Sequence, residues 1–133
     1  MASADVQTLQ SAYEAFNRGD IRAVLEVMDP QIEWNEPGGG RAASGTFHGP
    51  QSVGNDVFSI VPENFEEFAA EPERFFEAFA DHVVVVGQFR AKRKGGGDMT
   101  AAFAHVWQMR NGKPARFHNY VDAAAWAPGW GGN

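Results

Sequence analysis

The chain has 133 residues, no cysteine and a net charge of −6 at neutral pH. That length makes one domain able to bury a core without metal or disulfide staples. The missing cysteine excludes disulfides, thiol catalysis and thiolate metal sites, and the negative charge argues against a nucleic-acid or anionic-membrane surface.

In chain order, Val6, Leu9, Tyr13 and Phe16 recur at helical spacing and predict a helix over residues 4–17, with Ser3 as its N-cap. Asn17-Arg18-Gly19 ends it, and Asp20 caps a second helix, Ile21 to Met28, that Asp29-Pro30 stops. Gln31 to Glu36 then alternates, placing Ile32, Trp34 and Glu36 on one strand face, until Pro37-Gly38-Gly39-Gly40 breaks the pattern. Thr46-Phe47-His48 reads as a brief strand before Gly49-Pro50, where Pro suits the first turn of a third helix carrying Val53, Val57, Ile60 and Val61. Everything beyond is strand signal: residues 65–70, 74–80, 83–92, 99–110 and 113–122. The turns fall at Glu71-Pro72, Asp81-His82, Gly95 to Asp98 and Asn111-Gly112. Val83 to Val86 is apolar on both faces and predicts a central strand. Helices first and antiparallel strands after give an α+β fold with the helices gathered on one face. Residues 1–133 form a single domain with its core in 4–123. The tail, 124–133, holds Trp126 and Trp130 and is either a flap of aromatics or disordered.

The hairpin from Met99 to Asp122 holds the functional signal. Phe103, His105, Trp107 and Met109 share one strand face. After the Asn111-Gly112 reversal, Phe117, Asn119 and Val121 share a face of the return strand. A mostly apolar wall carrying one imidazole and one amide suits a lined pocket. Eleven Phe and four Trp supply rings for such a hollow or for a plain core.

Several stretches carry a family likeness: Tyr13 to Asp20, Ile32 to Pro37, Gly45 to Pro50, Val83 to Gly87, Phe103 to Trp107, Asn111 to Lys113 and Phe117 to Asp122. Together they resemble the nuclear-transport-factor-2-like superfamily and, within it, the SnoaL-like polyketide cyclase and ketosteroid-isomerase-like group. The resemblance implies a cone-shaped, curved antiparallel sheet wrapped around three N-terminal helices, and a homodimer formed through the sheet's outer face. Glu36 matches the position of the isomerases' general base, and His105 that of their protonated oxyanion-hole aspartate. Their first-helix tyrosine falls at Ala12, with Tyr13 one residue out of place, so that donor is expected to be missing. Asn119 stands where the limonene-epoxide-hydrolase branch has a catalytic aspartate. Asp122 joins the candidates because related cyclases use an acid near this strand.

Each candidate has a plainer account. Glu36 beside Trp34 is partly desolvated and raised toward useful basicity, or it is a solvated strand-end carboxylate; the worked precedent for such tuning is ketosteroid isomerase. His105 donates to a developing enolate oxygen, or bonds a neighbouring carbonyl. Asn119 orients ligand or water, or bonds within the sheet. Asp122 is an acid at the pocket, or caps outside the cone. His48 is at the pocket rim, or fixes its Gly-rich turn. Trp34, Phe58, Phe103, Trp107, Phe117 and Tyr13 line the cavity, or simply pack. The Gly95–Gly97 run has no helix after it and is no phosphate loop, and the four histidines lack metal-ligand spacing. The reading is therefore a cofactor-free, metal-free isomerase or cyclase. It would abstract a proton beside a carbonyl in a hydrophobic, steroid- or polyketide-like substrate. The alternative is a non-catalytic small-ligand-binding or dimerisation module. No membrane span or signal pattern is read, and a cytoplasmic location is the expectation.

Overall fold

The computed structural model describes residues 2–131. Helix α1 (Ala4–Asn17) starts where Ser3 accepts a hydrogen bond from the Val6 N–H at 3.2 Å, and it buries Val6, Leu9, Ala12, Tyr13 and Ala15. Asp20 caps α2 (Ile21–Glu26), which ends before Met28, although Met28 is still buried. Strands β1 (Glu33–Pro37) and β2 (Ser44–His48) form a hairpin.

The third helical stretch is not a regular helix. A single turn, α3 (Pro50–Ser52), opens into a π-wound segment, Val53–Phe58, closed by the Ser59 N–H to the Gly54 carbonyl at 3.1 Å. A short α4 (Val61–Asn64) follows. The wider turn brings Phe58, five residues on, to the same buried side as Val53 and Val57, whereas α-helical winding would align only the two valines.

Strand β3 (Phe65–Ala78) is continuous where a turn at Glu71-Pro72 was predicted. It lies at the sheet edge, where a proline need donate no ladder bond. The interruption shrinks to a register shift between Pro72 and Arg74. Gly87 faces this shift, and a Cβ there would run into the Glu71 carbonyl oxygen. Strands β4 (His82–Arg93), β5 (Asp98–Arg110) and β6 (Lys113–Val121) complete a six-stranded curved sheet in the order β2-β1-β6-β5-β4-β3. The sheet is not wholly antiparallel: β1 runs parallel to β6, with Trp34 opposite Phe117. Val83 to Val86 lies in an interior strand, next to the edge and not at the centre. Asn111 and Gly112 turn the β5–β6 hairpin with φ of 52° and 77°, the positive values such a reversal needs.

The tail resolves as helix α5 (Ala123–Trp130), so the described part of it is an aromatic flap, with Trp126 and Trp130 both buried. Residues 132–133 lie outside the described residues. Helices and sheet together make the α+β cone. Among the described residues no helix is long and apolar enough to cross a membrane.

Candidate active site

Strand parity builds one wall of an internal cavity. Trp34 and Glu36 on β1, His105 and Trp107 on β5, and Phe117 and Asn119 on β6 are each two residues apart and point inward together. The ladder sets Trp34 and Trp107 against Phe117, and His105 against Asn119. Tyr13 of α1, Phe58 of the π-wound turn and Trp126 and Trp130 of α5 close the other side. The cavity is about 80 Å³ and is partly open to solvent.

Glu36 keeps partial exposure as a residue at the strand end, but its carboxyl is in the cavity wall. Oε2 accepts from the Trp34 indole N–H at 2.6 Å, and Oε1 from the Asn119 amide at 3.1 Å. Burial pushes its pKa up to about 7, outweighing the two hydrogen bonds that favour the charged form.

His105 is 3% exposed. Its Nδ1 lies 2.5 Å from the Tyr13 hydroxyl, which also accepts from the Trp107 indole N–H at 3.1 Å. Indole can only donate, and burial holds the phenol far above its ordinary pKa, so the hydroxyl keeps its proton. Among the described residues Nδ1 is the one acceptor bonded to that hydroxyl, so pairing its buried proton places the proton of the neutral imidazole on Nε2. Burial also drives the His105 pKa down to about 3, with Asn119 opposing, so the ring stays neutral at physiological pH. Among the described residues, His105 Nε2, Asn119 Oδ1 and Trp130 Nε1 are buried without a hydrogen-bond partner. All three side chains line the cavity.

The structure therefore gathers Glu36, His105, Asn119, Tyr13, Trp34, Phe58, Trp107 and Phe117 around one space. It leaves out three candidates. Phe103 is buried on the same inward face, stacked on the imidazole at 3.8 Å between ring centroids, but does not line the cavity. His48 is exposed and faces a separate surface depression beside Gln31 and Glu33. Asp122 is exposed and caps α5, accepting from the Ala124 N–H at 3.2 Å. A strand-end acid preceding a helix finds unpaired backbone N–H groups to accept from, and that is what Asp122 does.

Tyr13 lines the cavity, with its hydroxyl bonded to His105 and not free as an oxyanion donor. The first helix does supply a phenol to the site, and it reaches the imidazole. The sequence reading missed Trp126 and Trp130 as cavity walls. Their spacing of four, just after an Asp cap, was the available signal. It also missed Phe89, which lines the cavity from β4. Among the described residues, no three His, Asp or Glu side chains gather as metal ligands.

The SnoaL-like domain family matches residues 9–117. Among solved structures, an NTF2-like protein of unknown function from Burkholderia pseudomallei is 32% identical, with a TM-score of 0.83 over 92% of this chain and 94% of that one. TerC, co-crystallised with polyporic acid, is 28% identical with a TM-score of 0.85 over 96% and 98% of the two chains. An NTF2-like protein from Burkholderia thailandensis is 25% identical with a TM-score of 0.84 over 97% and 98%. The comparison with curated proteins finds no match.

Proposed function

The chain belongs to the SnoaL-like domain family of the NTF2-like superfamily, and we propose that its cavity is an active site for proton abstraction next to a carbonyl. The observation that carries this reading is the pairing of a base and a donor in one cavity. Glu36, with a pKa of about 7, and the unpartnered N–H of His105 line the same cavity, and Asn119 lies between them in the ladder.

A base poised near neutral pH is present in its charged form and still binds the proton it removes. As Glu36 takes the proton, negative charge moves from its carboxylate to the substrate oxygen. The neutral His105 Nε2–H donates to that oxygen, an interaction worth roughly 2.7–4 kcal/mol where comparable donors have been removed. Asn119 and Trp34 hold the carboxyl in place. Returning the proton to a different carbon gives an isomer; attack of the enolate carbon on a second carbonyl gives a ring. The scheme needs no cofactor.

The walls are almost entirely rings and aliphatic side chains, which supports a hydrophobic substrate. TerC's co-crystallisation with polyporic acid supports a small organic ligand. The cavity is well below the ~300 Å³ of a drug-sized pocket. A single ring suits it as it stands. In the same reading two copies pair through the outer sheet face, where Phe76 and Tyr120 are 45% and 53% exposed.

The test is hydrogen–deuterium exchange at the α-carbon of small cyclic ketones in D2O, followed by NMR. Native protein should catalyse exchange and Glu36→Gln should not. Ketones that stabilise both proteins equally against heat but never exchange would instead establish a binding module.

A further inference from the structure

We propose, on the premise that the cavity is the substrate site, that it selects its ligand through a neutral hydroxyl, an enol or a phenol, held between His105 Nε2 and Asn119 Oδ1. These residues are directly opposed on β5 and β6 and share the inward face, so their side chains are nearest neighbours across the ladder. Each has one buried polar atom without a hydrogen-bond partner among the described residues, and the Asn119 amide lies near enough to His105 to favour its charged form, so the two atoms approach one another without closing a bond of good geometry. One of the two is a donor and the other an acceptor.

Neither polarity is free to reverse. The imidazole carries its proton on Nε2 because the buried Tyr13 hydroxyl accepts from Trp107 and, among the described residues, has Nδ1 as the one acceptor for its own proton; the other tautomer would leave that proton unpaired. The amide is fixed because an ionised Glu36 can only accept, so Nδ2 must face it and Oδ1 must face away. Turning the amide would set Oδ1 against the carboxylate.

The consequence is a specificity that two donors would not give. A ketone or ether oxygen accepts from His105 but presents lone pairs to Asn119 Oδ1, so a ketone substrate is held by one hydrogen bond where its enol tautomer is held by two. An apolar group leaves both atoms unpaired. A hydroxyl accepts from one and donates to the other, satisfying both. Sites built around such buried polar groups discriminate strongly against ligands that lack the matching group.

Phenol and toluene test this, because they are nearly the same size, suit the small cavity, and differ in the hydroxyl. Burial of apolar surface alone favours toluene, since phenol's hydroxyl must leave water. Affinities are measured by NMR chemical-shift titration at pH 8.5, where Glu36 is ionised and phenol is not. Native protein is expected to bind phenol at least tenfold more tightly than toluene, and Asn119→Leu to lose that preference. If native protein binds toluene as tightly as phenol or more so, hydroxyl selection is wrong while the cavity remains a ligand site. If it binds neither, the premise itself falls. The native comparison decides the matter even if the variant does not fold.

Discussion

Glu36→Gln should make the protein more stable at alkaline pH and leave it unchanged in acid. The Glu36 carboxyl has a folded-state pKa of about 7 against an ordinary value of 4.5, so folding favours its protonated form. Below pH 4.5 both folded and unfolded chains hold the proton, and the group costs nothing. Between pH 4.5 and about 7 the unfolded chain loses its proton first, and stability falls as pH rises, by at most about 1.4 kcal/mol per pH unit. Above pH 7 the penalty is complete, at up to about 3 kcal/mol. In Glu36→Gln the side-chain oxygen can still accept from Trp34, and its amide can donate to Asn119 Oδ1 once that amide turns over. The variant therefore keeps its hydrogen bonds and loses the charge. Urea unfolding of both proteins from pH 4 to 9 measures the difference directly, since other titrating groups cancel. The two curves should meet near pH 4.5 and separate through pH 7. For a domain of this size the gap corresponds to roughly 10 °C in Tm. A difference that does not change with pH, or that narrows as pH rises, would refute the burial argument and remove Glu36 as a tuned base.

Three other outcomes follow from the geometry. Tyr13→Phe strands the Trp107 indole N–H and His105 Nδ1 in the core and should cost about 2–4 kcal/mol. In the 15N spectrum of the imidazole, the single Nε2-protonated form of the native protein should give way to a tautomer mixture. Asp122→Ala removes only a helix cap, so it should cost about 0.5–2 kcal/mol in urea unfolding and leave the α-carbon exchange rate unchanged. Tyr120→Glu places a charge on the outer sheet face and should convert the proposed dimer to monomer in sedimentation, without altering the imidazole spectrum.

What was legible in the sequence is what strand parity decides. A strand has a period of two, so once Phe103 and Trp107 are inward, His105 is inward too. The same holds for Glu36 beside Trp34 and for Asn119 beside Phe117. Helical features were harder, because the direction of a side chain depends on how the helix rolls against the sheet. Tyr13, offset by one position from the residue the resemblance pointed to, still delivers its hydroxyl to the cavity because α1 packs on β3 and the ring lies edge-on to Phe75. The π-wound turn was invisible for a related reason. Its apolar spacing mimics an α-helix until Phe58 must join Val53 and Val57 on one side. Pro72 looked like a turn because nothing local reveals that its strand is an edge. The parallel pairing of β1 with β6 depends on where the chain re-enters the sheet, which no local pattern encodes.

The Tyr13–Trp107 clamp explains why a histidine can occupy this wall at all. A protonated His105 would sit across the ladder from Asn119, whose amide is bonded to the Glu36 carboxyl. A positive charge at that distance would favour the carboxylate and pull the Glu36 pKa back toward 4.5 or lower. The base would then stay ionised at neutral pH but bind a carbon-derived proton too weakly to be useful. The clamp prevents this by giving Nδ1 a donor, which only the neutral ring can accept, while burial removes the water that would solvate a cation. The imidazole thus remains a neutral donor and the carboxyl remains a weak acid, with at most one negative charge shared between base and substrate. Keeping the ring neutral is therefore the condition on which both assigned roles rest.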